Sequence, residues 1–292
     1  MTLFLQYLIN GILAGSLYAL LALAIVLIYK STKVFNFALG EMMTMGAFIL
    51  YMFMATFHLP VWMSMLLTII SCLIIGLLIE RLALRPLIGQ PLLAAIMATL
   101  ALSLIFRGIV LFVWGSPTIS YTTKFLPAGA SFVGELFFSK ELLYTFLISL
   151  TVFILMTIFF KFTKTGLFMR ATAEGHDVAQ ASGINVEKVF GFTWAIAALI
   201  AAAGGILLGN RFGLGIGTLP LVAIKAFPAV FFGGLESVKG AIIGGLTVGI
   251  LESFVGGYID PKFSEITPYV ILLVVLLFLP EGLFGLKRIE RI

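Results

Sequence analysis

FLQYLINGILAGSLYALLALAIVLIY, residues 4–29, carries no charged side chain, and Lys30 follows it directly. A helix needs about 20 such residues, at about 1.5 Å rise each, to cross the hydrocarbon of a bilayer. The stretch therefore reads as a transmembrane helix. It does not read as a cleavable signal peptide, because no basic segment precedes it and the apolar run is too long.

The rest of the chain is of the same kind. Of 292 residues, 61% are apolar and only 11% are charged, with a mean hydropathy of +1.18. A globular domain is roughly 45–50% apolar and about 25% charged. A water-soluble fold of this size cannot hide so much apolar surface. This excludes a soluble enzyme, a nucleic-acid-binding domain and a disordered chain, and makes the lipid bilayer the solvent. The lone cysteine, Cys72, allows no intramolecular disulfide and reads as an inert buried thiol.

Further apolar stretches lie at 36–57, 61–84, 92–114, 141–160, 190–209, 221–235, 239–257 and 267–285, nine segments with the first. The seventh and eighth are short. They flank GGLESVKG, residues 233–240, and read either as two short spans or as one broken, re-entrant pair. The basic residues are unevenly placed. Lys30, Lys33, Arg81, Arg85, Lys161, Lys164, Arg170, Lys188, Lys239, Lys287, Arg288 and Arg291, twelve of 18, fall on one side. Lys124, Lys140, Arg211, Lys225 and Lys262 fall on the other, and Arg107 lies within a span. The positive-inside rule then puts the N-terminus outside and the C-terminus in the cytoplasm, which requires an odd number of crossings. Residues 115–140 form an outer loop expected to be a short cap with a turn or hairpin, and residues 161–189 an inner loop. With no soluble domain or linker, residues 1–292 read as a single transmembrane domain.

Catalytic constellations are missing. His58 and His176 are the only histidines and fall on opposite sides, so no zinc or iron site is predicted. No G-x-x-x-x-G-K-[ST] loop is present, so the chain does not itself bind and hydrolyse ATP. Small residues recur at helix-packing spacing instead: Gly11 and Gly15, Gly205 and Gly209, Gly240 and Gly244, Gly245 and Gly249. Such faces let backbones approach closely in lipid, either within the chain or, for residues 240–249, towards a partner subunit. Helix breakers also sit inside apolar stretches. Gly213, Gly215, Gly217 and Pro220 precede the seventh segment, and Pro228, Gly233 and Gly234 interrupt it. Irregular backbone at membrane depth survives only against protein or a water-filled cavity, and so points to a transport path.

Charges within spans point the same way. Glu41, Arg107 and Glu252 each cost about 2.5–3.5 kcal/mol near the bilayer centre unless paired or hydrated. Arg107 and Glu252 fall at similar depth and are expected to pair or to lie by the path, with interfacial snorkelling as the alternative. For Glu41 the alternative is a structural hydrogen bond near Asn36.

The inner loop is the most specific feature. It reads TGLFMRATAEGHDVAQASGINVEKVF, residues 165–190. Residues 173–182 are compatible with a short helix, Gly183 suits the left-handed residue that ends one, and Ile184 and Val186 return an apolar face to the membrane. A short helix fixed between two spans can transmit force to a soluble partner, although an ordinary interfacial helix would look similar.

At these residues a family becomes recognisable. RATAEGHDVAQASGINVEKV resembles the coupling segment of bacterial ABC-importer permeases. GILAGSLYALLALAIVLIYKSTKVFNFALGEMMTMGAF, TLALSLIFRGIVLFVWG and AFPAVFFGGLESVKGAIIGGLTVGILES resemble the branched-chain amino acid branch of them. The resemblance spans nearly the whole chain, with weak stretches at residues 50–90 and 116–160. It implies an all-α polytopic membrane protein, a bundle of about eight transmembrane helices with Gly/Pro-broken segments and a short cytoplasmic coupling helix. Arg170, Ala173, Glu174, Gly175, His176, Asp177, Ala179, Ala181, Gly183 and Ile184 are the implied ATPase-coupling residues. Asn36, Glu41, Arg107 and Glu252 are the candidates for the translocation path. The implied assembly holds a second homologous permease subunit, two cytoplasmic ATP-binding subunits carrying the ATP and Mg, and an extracytoplasmic solute-binding protein, all in or at the bacterial inner membrane. Urea or short amides are the rival solutes, and an ATP-independent secondary transporter using Glu41 and Glu252 the rival mechanism. Relatives often carry a polar residue, commonly His, where Leu39 stands, which bears on the solute.

Overall fold

The computed structural model describes residues 2–121 and 124–285. Lys287, Arg288 and Arg291, counted above in the basic bias, lie outside the described residues. In chain order the elements are α1 (Thr2–Thr32), α2 (Leu39–Tyr51), α3 (Val61–Leu78) and α4 (Leu92–Trp114). A hairpin of β1 (Ala130–Val133) and β2 (Leu136–Ser139) follows, then α5 (Lys140–Phe162), α6 (Lys164–Glu174), α7 (His176–Ala181) and α8 (Val186–Phe212). The chain continues through α9 (Thr218–Ile224), α10 (Ala226–Gly233), α11 (Val238–Tyr258) and α12 (Pro261–Phe278). A π-helical turn, Met52–Thr56, prolongs α2, and π-helical Ile79–Leu84 with the 3₁₀ turn Arg85–Leu87 prolong α3. Among the described residues, eight helices are long and apolar enough to cross a bilayer: α1, α2 and α3 with their extensions, α4, α5, α8, α11 and α12.

Two expected boundaries differ. The seventh segment is no single span. It is α9 and α10, parted at Lys225. Pro228 does not interrupt it: Pro220 and Pro228 sit in the first turns of α9 and α10, where a missing N–H costs nothing. The break falls instead on the one charged residue of the stretch. The last span begins at Pro261, not at residue 267, because Asp260 caps it, accepting from Lys262 N at 2.8 Å, and Pro261 takes the first helical position.

The chain divides into two compact units. One comprises Met1–Val26, Pro127–Leu150 and Lys225–Ile292. In it the glycine motifs meet backbone to backbone. A methyl placed on Gly15 would lie 2.8 Å from the Gly245 carbonyl oxygen, and one on Gly11 would lie 2.6 Å from Ile250 Cα. The second motif of α11 serves a different neighbour: Gly240 lies against Gly233, and Gly244 against Ala229 of α10. All four glycines of the 240–249 run are thus used in packing within the chain. After α12 the chain turns back on α10, with Leu283 N donating to Phe232 O at 2.9 Å and Phe284 N to Gly233 O at 3.1 Å. The expected hairpin in the outer loop is β1–β2, paired from Ala130–Ser139 to Val133–Leu136, and Gly134 turns it at φ 62°. Gln6 of α1 holds that hairpin: its Oε1 accepts from Phe137 N at 2.9 Å, and its Nε2 donates to Phe137 O.

The other unit comprises Leu27–Leu126 and Thr151–Ile224. Its core is α2, α3 and α8, again joined through glycine. Gly46 faces Ala202, Gly76 faces Trp194 and Ala195, and Gly205 faces the Met43 carbonyl. Trp194 and Phe48 are among its largest fully buried side chains. At one end Ile119 and Leu214 form an isolated bridge, and the buried Tyr121 hydroxyl donates to Ala47 O at 3.0 Å. Burial pushes the Tyr121 phenol well above its ordinary range. At the other end Ser31, Arg85, His176 and Glu187 come together, as described below.

A Gly76→Ala methyl would sit 2.6 Å from Ala195 Cα, whereas Gly108 of α4 has nothing within 4 Å. Gly76→Ala is expected to cost about 1–3 kcal/mol through overpacking. Gly108→Ala, relieved of glycine's entropy in a helix, should leave stability unchanged or slightly raised. Thermal unfolding of the detergent-solubilised variants, followed by tryptophan fluorescence, checks both.

Candidate functional site

The inner loop folds as two helices rather than one. Thr163 caps α6, its hydroxyl accepting from Gly166 N at 3.0 Å, and Gly166 packs tightly against the Phe159 carbonyl and Phe160. A larger residue at 166 could not make that corner. Residues 173–182 were expected to form one helix, but Gly175 is extended, at φ −176°, and parts α6 from α7. Gly183 does take the left-handed conformation, at φ 80°. It closes α7 with Gly183 N bonding Gln180 O at 2.9 Å and Ile184 N bonding Ala179 O at 3.0 Å. Asn185 then caps α8 through Lys188 N at 3.0 Å.

These turns sort the ten loop residues by direction. Ala179 is buried with Val186 and Phe190, and Ile184 packs on the same cluster. His176 turns inward too: its Nε2 lies 3.0 Å from Ser31 O at the end of α1, and its ring meets Phe190 edge-on at 5.3 Å. Arg170, Glu174, Asp177, Ala181 and Gly183 are exposed, while Ala173 and Gly175 are partly covered. Val178 and Gln180, which spacing alone did not single out, share the exposed face, Val178 at 72%.

Beside α7 lies a charge cluster that sequence reading missed. Glu80, buried in the π-helical end of α3, accepts from Arg85 Nε at 3.1 Å and from Arg85 Nη2 at 2.9 Å. The remaining Arg85 Nη1 donates to Glu187 of α8 at 3.1 Å. The fork of one guanidinium thus joins the inner ends of α3 and α8. The signal was present, since Glu80, Arg81 and Arg85 interrupt an apolar run, but Glu187 is 102 positions from Arg85. A cavity of roughly 200 Å³, lined by Lys33, Glu80, Arg85, Gln90, His176 and Trp194 among others, opens at this end.

The four candidate path residues do not form one cluster. Asn36 is buried, and its Oδ1 accepts from Ala38 N at 3.0 Å, so it shapes the turn into α2. Thr99 of α4 ties the same turn down, donating to Phe35 O at 3.2 Å. Glu41 is 5% exposed and leaves its Oε2 without a hydrogen-bond partner. The cation whose field reaches Glu41 is Arg107. Glu252 pairs differently from expectation: Lys225 donates to its Oε1 at 2.8 Å. Lys225, counted on the outer side in the basic bias, is the largely buried partner of an ion pair at the α9–α10 break.

With this geometry established, comparison with known proteins gives the family. Residues 7–279 match the family described as branched-chain amino acid transport system / permease component. The chain belongs to this family. The high-affinity branched-chain amino acid transport system permease protein LivH of Escherichia coli is 30% identical over 301 residues, 99% of this chain and 98% of that protein. The corresponding protein BraD of Pseudomonas aeruginosa is 31% identical over 304 residues, with 99% and 98% covered. A probable branched-chain amino acid transport permease protein LivH of Methanocaldococcus jannaschii is 32% identical over 299 residues, with 97% and 94% covered. This permease component is therefore a multi-pass membrane transport subunit.

In this permease component Glu80 has 2% of its side chain exposed. Arg85→Leu should cost about 3 kcal/mol, because it strands a buried carboxylate. The double variant with Glu80→Leu should recover most of that loss. Glu187→Gln should cost little, since Glu187 is 55% exposed and the pair is screened by water. Unfolding temperatures of the unmodified chain and these three variants check all three expectations.

Proposed function

We propose that the chain is the membrane-spanning permease subunit of an ATP-driven importer for branched-chain, hydrophobic amino acids, and that α7 docks on a cytoplasmic ATPase. The observation that carries this is the two-sidedness of α7. Ala179, Ile184 and His176 anchor it to α8 and α1, while Asp177, Val178, Gln180 and Ala181 face outward on a rigid base. The substrate class comes from the names of the relatives, which favour amino acids over urea or amides. The chain catalyses no reaction in this reading. ATP and Mg belong to two partner ATPases, a second homologous permease subunit completes the path, and an extracytoplasmic binding protein delivers the solute.

The topology follows from the docking side. Lys30, Lys33, Arg81, Arg85, Lys161, Lys164 and Lys188 cluster in sequence around the same ends as α7, which supports placing that end in the cytoplasm. Five crossings before α6 then put the N-terminus outside, and α8 leads outward again. The segment after α12 returns to the end of α10 through Phe232 and Gly233. A cytoplasmic C-terminus at the bacterial inner membrane therefore requires α9 and α10 together to make a broken inward passage. This supplies the odd count that the basic bias demanded, alongside eight long helices.

In the working cycle, ATP binding closes the ATPases, α7 moves with them, and the bundle alternates between outward and inward openings. Val178→Asp, which puts a charge into the proposed contact, should leave the chain in the membrane but abolish solute uptake and solute-stimulated ATP hydrolysis in the reconstituted complex. Uptake at the unmodified rate would overturn the docking role. Purified chain alone in liposomes should take up no leucine; uptake without ATPases would favour the secondary-transporter reading.

A further inference from the structure

α1 ends at Thr32, and the last four carbonyls of a helix have no partner within it. The Thr32 hydroxyl donates back to Ile28 O at 2.7 Å, and Lys33 N donates to Tyr29 O at 2.8 Å. Ser31 O is served from elsewhere. Its partner is His176 Nε2, 145 positions later, at the first residue of α7. A carbonyl only accepts, so Nε2 carries the proton. The ring is braced edge-on against Phe190 of α8, at 5.3 Å and 72°. One imidazole therefore touches three elements: the helix it starts, the helix that follows, and the end of α1.

We infer that His176 is a positioning residue for transport, a strut that carries displacement of α7 into α1, and not a contact to the ATPase. Three observations support this. The imidazole points away from the face bearing Val178 and Gln180. Gly175 is extended and Gly183 left-handed, so α7 is a separate short helix bounded at both ends by non-helical backbone. Among the described residues, the Ala179–Ile184 cluster ties this piece to α8 and the His176 bond ties it to α1. The span it grips is the one most enclosed by protein, since 89% of the apolar window of α1 is buried against 17% for α4, α5 and α12. A helix so enclosed cannot shift without its neighbours, so a pull on its end reaches the packing of the bundle. This rests on the docking of α7 proposed above.

The test uses the complete importer in liposomes, with Val178→Cys as a reporter of docking by crosslinking to the ATPase. His176→Ala should keep the crosslink yield of the chain that retains His176. Its solute taken up per ATP hydrolysed should fall by roughly ten-fold, the order of one lost hydrogen bond. His176→Gln, whose amide N–H reaches about as far as Nε2, should recover uptake to within about three-fold. Lost crosslinking in His176→Ala would make His176 a docking residue and overturn the strut. Uptake within about two-fold of the unmodified chain, or a Gln variant no better than Ala, would overturn it as well. Absence of the crosslink while His176 is intact would reject the docking of α7 itself, a different failure.

Discussion

In hydrocarbon, lipid tails are as apolar as leucine, so helices gain no hydrophobic advantage from meeting one another. What remains is close van der Waals contact, and the approach of α1 to α11 through Gly11, Gly15, Gly245 and Gly249 is where this chain obtains it. The same device recurs at Gly233 and Gly240 between α10 and α11, and at Gly46, Gly76 and Gly205 in the other unit. Nearly all of these contacts set backbone against backbone, and Gly46 meets the methyl of Ala202. Larger aliphatic side chains would hold the helices further apart.

The junction of α9 and α10 falls on a charge. The two helices end and restart at Lys225, and Glu252 accepts its hydrogen bond at 2.8 Å. An ion pair of this kind lowers the cost of two largely buried charges without making them a strong source of stability. Glu41 is the contrasting case, a buried carboxylate with one oxygen unpartnered.

The inner end of the second unit is built on the same economy of partners. One arginine, Arg85, joins α3 to α8 through Glu80 and Glu187, and one histidine joins α7 to α1. The short helix that carries the exposed valine is held by a few defined contacts rather than by a broad interface. The helices it touches, α1 and α8, are long and rooted in close packing.

Much of this was legible without coordinates. Twenty-odd uncharged residues must be helical in lipid, because no other local structure satisfies the backbone there, so the spans followed from composition and length. Gly183 followed from the left-handed turn it makes, and the hairpin near Gly134 from its loop chemistry. The pairing of charges was not legible. Arg107 was matched to Glu252 by depth along the chain, whereas Glu252 accepts from Lys225, 27 positions away, and depth alone does not choose between partners. Pro228 was read as a break, yet its effect depends on where a helix starts, and only the fold set that. For His176, the sequence determined its chemistry, a donor on a short inner helix. Tertiary structure alone decided that the donor turns inward to Ser31, since that choice depends on contacts 145 positions apart which no local pattern encodes.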